Sequence, residues 1–242
     1  MTSTVDVFLF ALVTALATGL GALPFFFVRS VPRKYLGVSN AIAAGFMTAA
    51  SIGLIIEGVE YSHFRAWTGA AFGILLIALF RRSMQGHEVT WGALNARDAR
   101  KVMSLLAIMT VHSFSEGIGV GVAFGGGMEL GLYITAAISI HNIPEGLAIS
   151  LVMVPRGTSA LKAAAWSIFS SLPQPLMAVP AFILVEWFRP LLPAGLGFAA
   201  GAMLWMVAVE LIPEATEEAS RGTVAGVFVA STVAMLVFQA LL

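Results

Sequence analysis

Two short stretches of the chain each combine a histidine with a glutamate one helical turn away. The stretch TVHSFSEGIGVGV contains His112 and Glu116, and the stretch SIHNIPEGLAIS contains His141 and Glu145. Residues four apart lie on the same face of an α-helix, so each stretch presents an imidazole beside a carboxylate. Imidazole nitrogen and carboxylate oxygen are ligands of Zn²⁺, Fe²⁺ and Mn²⁺. The two pairs therefore predict a divalent-cation site.

Two other interpretations of these residues stay open. A single buried histidine with a glutamate at this spacing is more often a hydrogen-bonded pair than a ligand set, but two such pairs in matched register favour ligands. Chains of histidine and glutamate also carry protons within membranes, so a proton relay without metal is the second alternative.

The composition places these polar residues in a membrane. Hydrophobic residues make up 59% of the 242 residues, charged residues make up 11%, and the mean hydropathy is +0.92. These values lie outside the range of soluble domains. Cysteine is absent from the sequence, which leaves nitrogen and oxygen as the available ligands. The net charge is zero with no sustained basic patch, so no nucleic-acid partner is predicted.

The length of the apolar stretches predicts an all-α, polytopic membrane protein. A bilayer core of about 30 Å needs roughly 20 apolar residues per helix, and this length divides the chain into eight transmembrane helices. No linker or long run of charge separates them, so residues 1–242 form a single predicted domain. The predicted spans are 5–28, 36–57, 64–80, 102–124, 130–154, 160–187, 192–213 and 222–242.

The fourth and fifth spans must bring the two pairs together. Between them, the stretch GGGME at 125–129 is suited to a turn. In an antiparallel hairpin, residues whose numbers have a constant sum lie at similar depth. A turn within this stretch predicts that His112 lies level with Glu145, and that Glu116 lies level with His141.

Pro144 lies beside the second pair. Proline has no backbone N–H, so it leaves the carbonyl of Ile140 without its usual donor. Such breaks are tolerated in a membrane helix where they line a polar cavity. We therefore expect the backbone to open here, with His141, Asn142 and Glu145 facing the gap.

The positions of arginine and lysine predict the orientation. With the N-terminus outside, eleven of the thirteen basic residues fall in cytoplasmic loops, and only Arg65 and Arg189 fall outside. This bias follows the positive-inside rule. Both termini are therefore predicted on the non-cytoplasmic side of the cell (inner) membrane.

A short internal repeat relates the second span to the seventh. The second contains AAGFM and the seventh contains AAGAM, and the two spans run in opposite directions. Inverted repeats of this kind bracket a central site in many secondary transporters, here as three, two and three helices. Small residues also allow helices to pack closely, which explains the motif equally well by itself.

The motifs HSFSEG at 112–117 and HNIPEG at 141–146 resemble the fourth and fifth helix motifs of the ZIP (Zrt/Irt-like) divalent metal transporters, especially their bacterial and GufA-like branch. The stretch from GFAAGAM to ELIPEA, at 197–215, is similar to the seventh helix of that family. The resemblance covers essentially the whole chain. It implies eight helices in inverted repeats, both termini outside, and alternating access that moves metal toward the cytoplasm.

The resemblance also implies the cargo and the ligands. Zinc is the expected ion, with iron and manganese left open, and no prosthetic group is expected. The bilayer is the other partner, and the resemblance is compatible with a homodimer. The metal ligands that it implies are His112, Glu116, His141, Asn142 and Glu145.

Two positions depart from the family pattern. Ser113 stands where relatives often have asparagine, and Gln174 stands where many bacterial relatives have a glutamate that supports a second metal. We therefore expect one well-formed metal site and a second that is weakened, altered in selectivity or absent. The alternative for Gln174 is a sixth helix broken by Pro173 and Pro175, with its side chain capping backbone groups.

Two further residues are candidates along the metal pathway. Met47 resembles a methionine that faces the pathway in the family, although methionine in a membrane helix usually serves packing. Glu210 matches the first glutamate of the family's ELIPE motif and is the candidate for the exit path.

The other functions compatible with these residues are an intramembrane zinc hydrolase and a metal sensor that does not transport. A hydrolase needs an open zinc position, a bound water and a general base, and Glu116 or Glu145 would serve as that base. The HExxH motif is absent from the sequence, and His63 and His87 are predicted outside the buried region. We therefore predict a transporter and no enzyme activity.

Overall fold

The computed structural model describes residues 2–28, 32, 34–84 and 96–241. These described residues form helices and no β-strand, which confirms the predicted all-α class. Arg29, Arg33 and His87 lie outside them. The α-helices are α1 (Thr4–Leu20), α2 (Lys34–Tyr61), α3 (His63–Met84), α4 (Ala96–Gly126), α5 (Met128–Met153), α6 (Ala160–Ser171), α7 (Pro173–Trp187), α8 (Leu191–Met206), α9 (Ile212–Glu218) and α10 (Arg221–Leu241).

The helical segments have the lengths and surfaces of membrane spans. Large apolar side chains such as Phe64, Trp187 and Leu241 are largely exposed, which suits contact with lipid. The chain is therefore a membrane protein. Among the described residues, five segments are long and apolar enough to cross a bilayer: Lys34–Tyr61, Met128–Arg156, Ala160–Trp187, Leu191–Glu218 and Arg221–Leu241. Two shorter apolar helices are Thr4–Leu20 and His63–Leu79.

The predicted sixth span consists of two helices. α6 ends at Ser171 and α7 begins at Pro173, because proline cannot continue the helical hydrogen bonds but suits the first turn of a new helix. This confirms the broken helix considered above. Gln174, however, uses its amide to bond other side chains rather than to cap the backbone.

The predicted seventh span contains a π-helical segment, Val207–Leu211, between α8 and α9. It comes just before Pro213, whose missing N–H leaves the carbonyl of Val209 without an α-helical donor. A π-helical turn accommodates such an interruption and often occurs at functional sites. Glu210 lies within this segment.

The expectation that the backbone opens at Pro144 is wrong. α5 is continuous from Met128 to Met153, because neighbouring groups compensate a single lost bond in a packed membrane helix. The hydroxyl of Ser39 on α2 donates to the carbonyl of Pro144 at 3.0 Å, which ties α5 to α2 here but is not the carbonyl of Ile140 that the proline leaves without a donor. The polar residues of the fifth span are therefore positioned by an intact helix.

Helices α1, α4, α5, α6 and α7 pack together, and we call them the first bundle. Glycines permit the closest backbone contacts in it. A methyl group at Gly146 of α5 would overlap the carbonyl oxygen of Thr18 on α1. One at Gly117 of α4 would overlap the carbonyl oxygen of Gln174 on α7. These are the last glycines of the HNIPEG and HSFSEG motifs, and only glycine permits such approaches.

The remaining helices, α2, α3, α8, α9 and α10, form a second bundle. A methyl group at Gly69 of α3 would overlap the carbonyl oxygen of Ala194 on α8, and one at Gly201 of α8 would overlap the carbonyl oxygen of Ala70 on α3. A methyl group at Gly45 of α2 would overlap the carbonyl oxygen of Phe228 and the side chain of Ser231 on α10. The helices of this bundle are also packed backbone to backbone.

The two bundles meet mainly through side chains. Where α4 faces α8, Gly119 lies against the side chain of Ala199, and Gly195 lies against the side chain of Val122. Where α2 faces α5, Gly53 lies beside the phenol of Tyr133. The closest approaches of glycines to backbone atoms of another helix therefore lie inside each bundle, whereas these three glycines contact side chains of the other bundle.

Candidate metal centre

The hairpin of α4 and α5 brings the two His–Glu pairs together. α4 ends at Gly126 and α5 begins at Met128. The chain reverses at Gly127, whose φ of 144° favours glycine. This turn lies within the stretch that the sequence predicts, at 125–129. His112 and Glu116 of α4 consequently face His141 and Glu145 of α5, with four ligand atoms within 4.8 Å of one another.

The distances match the predicted register. The Nε2 atom of His112 lies 2.9 Å from Oε1 of Glu145, and the Nε2 atom of His141 lies 2.5 Å from Oε1 of Glu116. His112 Nε2 is also 3.2 Å from Glu116 Oε1. Both predicted cross-hairpin pairs are confirmed.

The four residues of the cluster are buried, so any charge on their carboxylates must be compensated by neighbouring groups. His112, Glu116, His141 and Glu145 are all 3% exposed or less. Isolated carboxylates in such a place carry a large desolvation cost. A divalent cation bound among the same atoms would compensate this cost.

A set of amide groups surrounds the other oxygen of Glu116. Gln174 Nε2 donates to Glu116 Oε2 at 2.5 Å, and Gln174 Oε1 accepts from Thr14 Oγ1 at 2.5 Å. Asn142 Nδ2 donates to Gln174 Oε1 at 3.2 Å and to the carbonyl of Thr14 at 2.9 Å. Asn142 and Gln174 are thus linked to the His–Glu cluster through hydrogen bonds.

The structure places the other candidates outside the four-residue cluster. Ser113 is buried on α4 next to His112. Met47 is buried on α2 within the hydrophobic core. Glu210 lies in the π-helical segment and is half-buried. Their proposed contacts with metal stay predictions.

Thr14 of α1 is a member of the site that sequence reasoning missed. Its hydroxyl and carbonyl both take part in the amide network, and Thr18 one turn later pairs with the hydroxyl of Ser171 at 2.9 Å. Two threonines four residues apart in an otherwise apolar span were the available signal, because polar groups inside a membrane usually face a polar partner.

Sequence comparison identifies the family to which this site belongs. A sequence model described as ZIP Zinc transporter matches residues 81–238. The chain belongs to the ZIP zinc transporter family. This matched region contains the His–Glu cluster, Asn142, Gln174 and the π-helical segment, so the ZIP resemblance seen in the motifs is confirmed.

Several named relatives agree with this membership. An Arabidopsis thaliana protein named as a zinc transporter is 48% identical over 238 residues, covering 96% of this chain and 38% of its own length. Zinc transporter GufA of Myxococcus xanthus is 32% identical over 222 residues, covering 84% of this chain and 86% of its own. Zinc transporter ZIPB of Bordetella bronchiseptica is 32% identical over 237 residues, covering 92% and 76%. The ZIP relatives are named as transporters, which favours transport over hydrolysis.

Proposed function

We propose that this ZIP protein transports a divalent cation, with zinc as the preferred ion, across the membrane toward the cytoplasm. The observation that carries the proposal is the buried cluster of His112, Glu116, His141 and Glu145. Zinc bonds to nitrogen and oxygen are about 2.0–2.2 Å long, so tetrahedral ligand atoms lie roughly 3.3 Å apart. The ligand atoms at 2.9 and 3.2 Å are already close to this spacing, whereas the pair at 2.5 Å would have to separate to hold the ion.

The proposed binding site consists of the four cluster residues with Asn142 beside them. Asn142 Oδ1 is buried and has no hydrogen-bond partner among the described residues, which supports a role as an additional oxygen ligand. The ion is the substrate, and no prosthetic group is proposed. Met47 and Glu210 are proposed to lie along the pathway, with Glu210 on the exit side.

The proposed topology is one transmembrane domain, residues 1–242, with eight spans in a 3+2+3 arrangement. α6 and α7 together make the sixth span, and α8, the π-helical segment and α9 make the seventh. The distribution of arginine and lysine supports placing both termini on the non-cytoplasmic side of the cell membrane. A homodimer is part of the same proposal.

The pattern of glycine contacts supports inverted repeats. In an inverted repeat, spans one, two and three correspond to spans six, seven and eight, and span four corresponds to span five. The contact between spans one and five is then equivalent to the contact between spans six and four. These are the contacts made by Gly146 and Gly117, the last glycines of the paired motifs. The contact between the second and eighth spans is made at Gly45. By the same symmetry it is equivalent to the contact between the seventh and third spans, which is made at Gly201.

The depth of the site and the packing of the helices support alternating access as the proposed mechanism. The cluster residues are 3% exposed or less, so a cation must reach them through a conformational change. We propose that the first bundle, which holds the cluster, moves against the second bundle. Side-chain contacts between bundles favour such sliding more than interlocked backbones do.

A cross-link between the bundles is expected to stop transport. The sequence has no cysteine, so a Val122→Cys, Gly195→Cys pair can be oxidised selectively. A Cβ atom at Gly195 would lie 3.3 Å from Cβ of Val122, close to the disulfide range of about 3.5–4.5 Å. Oxidation should reduce uptake into liposomes about tenfold or more, and reduction should restore it.

A matched pair within the second bundle serves as the control for this cross-link. A Cβ atom at Gly58 of α2 would lie 3.5 Å from Cβ of Leu196 on α8. Uptake by the Gly58→Cys, Leu196→Cys variant should be unaffected by oxidation. Full uptake by the oxidised Val122–Gly195 pair would contradict movement between the bundles.

Uptake by purified protein in liposomes tests the function directly. We expect Zn²⁺ to accumulate well above the level in protein-free liposomes, and Mg²⁺ to remain near that level, because Mg²⁺ prefers octahedral oxygen sites that retain several waters. Fe²⁺ and Mn²⁺ belong in the same panel because they share the ligand preferences of the site. Failure of every ion to accumulate would contradict transport.

A further inference from the structure

A cavity of about 1070 Å³ lies at the end of the protein where α2 and α10 end and α5 begins. Its walls come from these three helices and from the turn at Gly127, and they include none of the four cluster residues. The hydrocarbon core of a bilayer takes up the length of one span, so helix ends lie among the lipid headgroups. The cavity is therefore at headgroup depth, on the non-cytoplasmic side in the proposed topology.

A groove between α5 and α10 connects this cavity with the surface that faces lipid. Both helices pack against α2 but make few contacts with each other. Met128 and Leu132 of α5 line the cavity and are 40% and 42% exposed. Exposed apolar side chains at the edge of a groove suit contact with acyl chains. A lipid headgroup can therefore occupy the cavity while its chains remain in the bilayer.

The cavity presents a hydrogen-bond donor that lacks an acceptor. Gln239 of α10 lines the cavity and is 9% exposed, and its amide nitrogen has no hydrogen-bond partner among the described residues. The phenol oxygen of Tyr133 and this nitrogen would lie 3.1 and 3.6 Å from a methyl group placed on Gly53, so the two polar atoms adjoin the same small space. A buried donor without a partner is costly, which indicates that a ligand supplies the acceptor.

Carboxylates line the same cavity. Glu57 of α2 and Glu129 of α5 attract a positive charge. A hydrated divalent cation would satisfy them, but its bound waters point their hydrogens outward and would leave the nitrogen of Gln239 without an acceptor. A simple anion would accept from Gln239 but would be repelled by both carboxylates. A zwitterion that joins an ammonium group to a phosphate matches both kinds of group.

We propose that this cavity binds a phospholipid whose headgroup joins a primary ammonium to a phosphate, as in phosphatidylethanolamine. The ammonium donates to Glu57 and Glu129, and the phosphate accepts from the amide of Gln239 and the phenol of Tyr133. Tyr133 belongs to the first bundle, whereas Glu57 and Gln239 belong to the second. The bound lipid therefore contacts both bundles. This site goes beyond the proposed function, because its ligand is not the transported cation.

Competition among lipids tests this proposal in the absence of zinc. Delipidated protein in detergent is mixed with equal amounts of phosphatidylethanolamine, phosphatidylcholine and phosphatidylglycerol that carry the same acyl chains. Native mass spectrometry then identifies the bound lipid. We expect phosphatidylethanolamine to bind about tenfold more tightly than phosphatidylcholine, whose ammonium has no N–H, and than phosphatidylglycerol, which has no ammonium. Equal binding of the three lipids would overturn the proposal.

Variants locate the bound lipid. Glu57→Gln removes the charge, and Gln239→Met keeps the side-chain length but removes the amide donor, so each should lose most of this tenfold preference. Glu60→Gln is the matched control, because Glu60 is exposed on the same helix and does not line the cavity. Its preference should equal that of the unaltered protein. A preference that survives both Glu57→Gln and Gln239→Met would place the lipid elsewhere and refute this site.

The headgroup without acyl chains distinguishes a lipid from a soluble zwitterion. The melting temperature of the delipidated protein is measured with glycerophosphoethanolamine and with phosphatidylethanolamine. We expect only the lipid to raise it, because the chains supply the contacts along the groove. Equal stabilisation by the two compounds would contradict a lipid site. Zinc uptake is a separate measurement, so the lipid site and the proposed function can fail independently.

Discussion

Replacing Glu145 by alanine is expected to abolish zinc uptake while leaving the protein folded. Glu145 supplies one of only two carboxylates in the four-residue cluster and contacts His112 at 2.9 Å. Truncating one partner of a buried, hydrogen-bonded charge pair in a binding interface costs about 2–5 kcal/mol of binding free energy. An equal loss of cation binding corresponds to a weakening of about 30-fold or more. Initial uptake rates in liposomes at low Zn²⁺ concentration measure this loss, and His141→Ala should behave in the same way.

Glu129→Ala is the matched control for Glu145→Ala. Glu129 lies on the same helix, in its first turn, and is exposed. Its removal deletes the same charge without touching the cluster, so uptake should remain close to that of the unaltered protein. Undiminished uptake by both Glu145→Ala and His141→Ala would refute the assignment of the binding site.

Gly146→Ala is expected to destabilise the protein strongly and to eliminate uptake. The added methyl group would overlap the carbonyl oxygen of Thr18, a backbone atom that cannot rotate away. Overpacking typically costs about 1–3 kcal/mol, and more where backbones must separate. The separation would also displace α1, which holds Thr14 in the amide network. The melting temperature of the purified protein in detergent measures the loss of stability. Zinc uptake into liposomes measures the loss of transport.

The equivalent change at Gly226 provides the comparison. Gly226 lies in α10, is exposed, and has no atom within 4 Å of an added methyl group. Gly226→Ala should therefore leave uptake unchanged and stabilise the helix by about 0.5–1 kcal/mol. A melting temperature for Gly146→Ala equal to that of Gly226→Ala would show that the close approach of α1 and α5 is unnecessary.

Local periodicity predicted much of the metal centre. The spacing of His112 and Glu116, and of His141 and Glu145, defines one face on each helix whatever the rest of the protein does. A glycine-rich turn then sets the antiparallel register, because each residue advances an α-helix by a constant rise. For this reason the cross-hairpin pairs could be deduced before any distance was known.

Other features depend on contacts between segments distant in the chain. The sequence indicated an opened backbone at Pro144, but α5 is a continuous helix there and packs against α2. Gln174 appeared as a lost carboxylate, and its hydrogen bonds to Thr14 and Glu116 join residues 160 and 58 positions away. No local pattern encodes which of several polar side chains such an amide will meet.

The sequence by itself determined the membrane setting, the helical class, the two His–Glu faces and their register, because hydropathy and helical periodicity are local properties. Only the tertiary structure decided the direction of the Gln174 amide, the participation of Thr14 and the division into two bundles. Those features depend on how closely helices approach one another. That approach is set by glycine contacts such as Gly146 with Thr18, across more than 100 residues of chain.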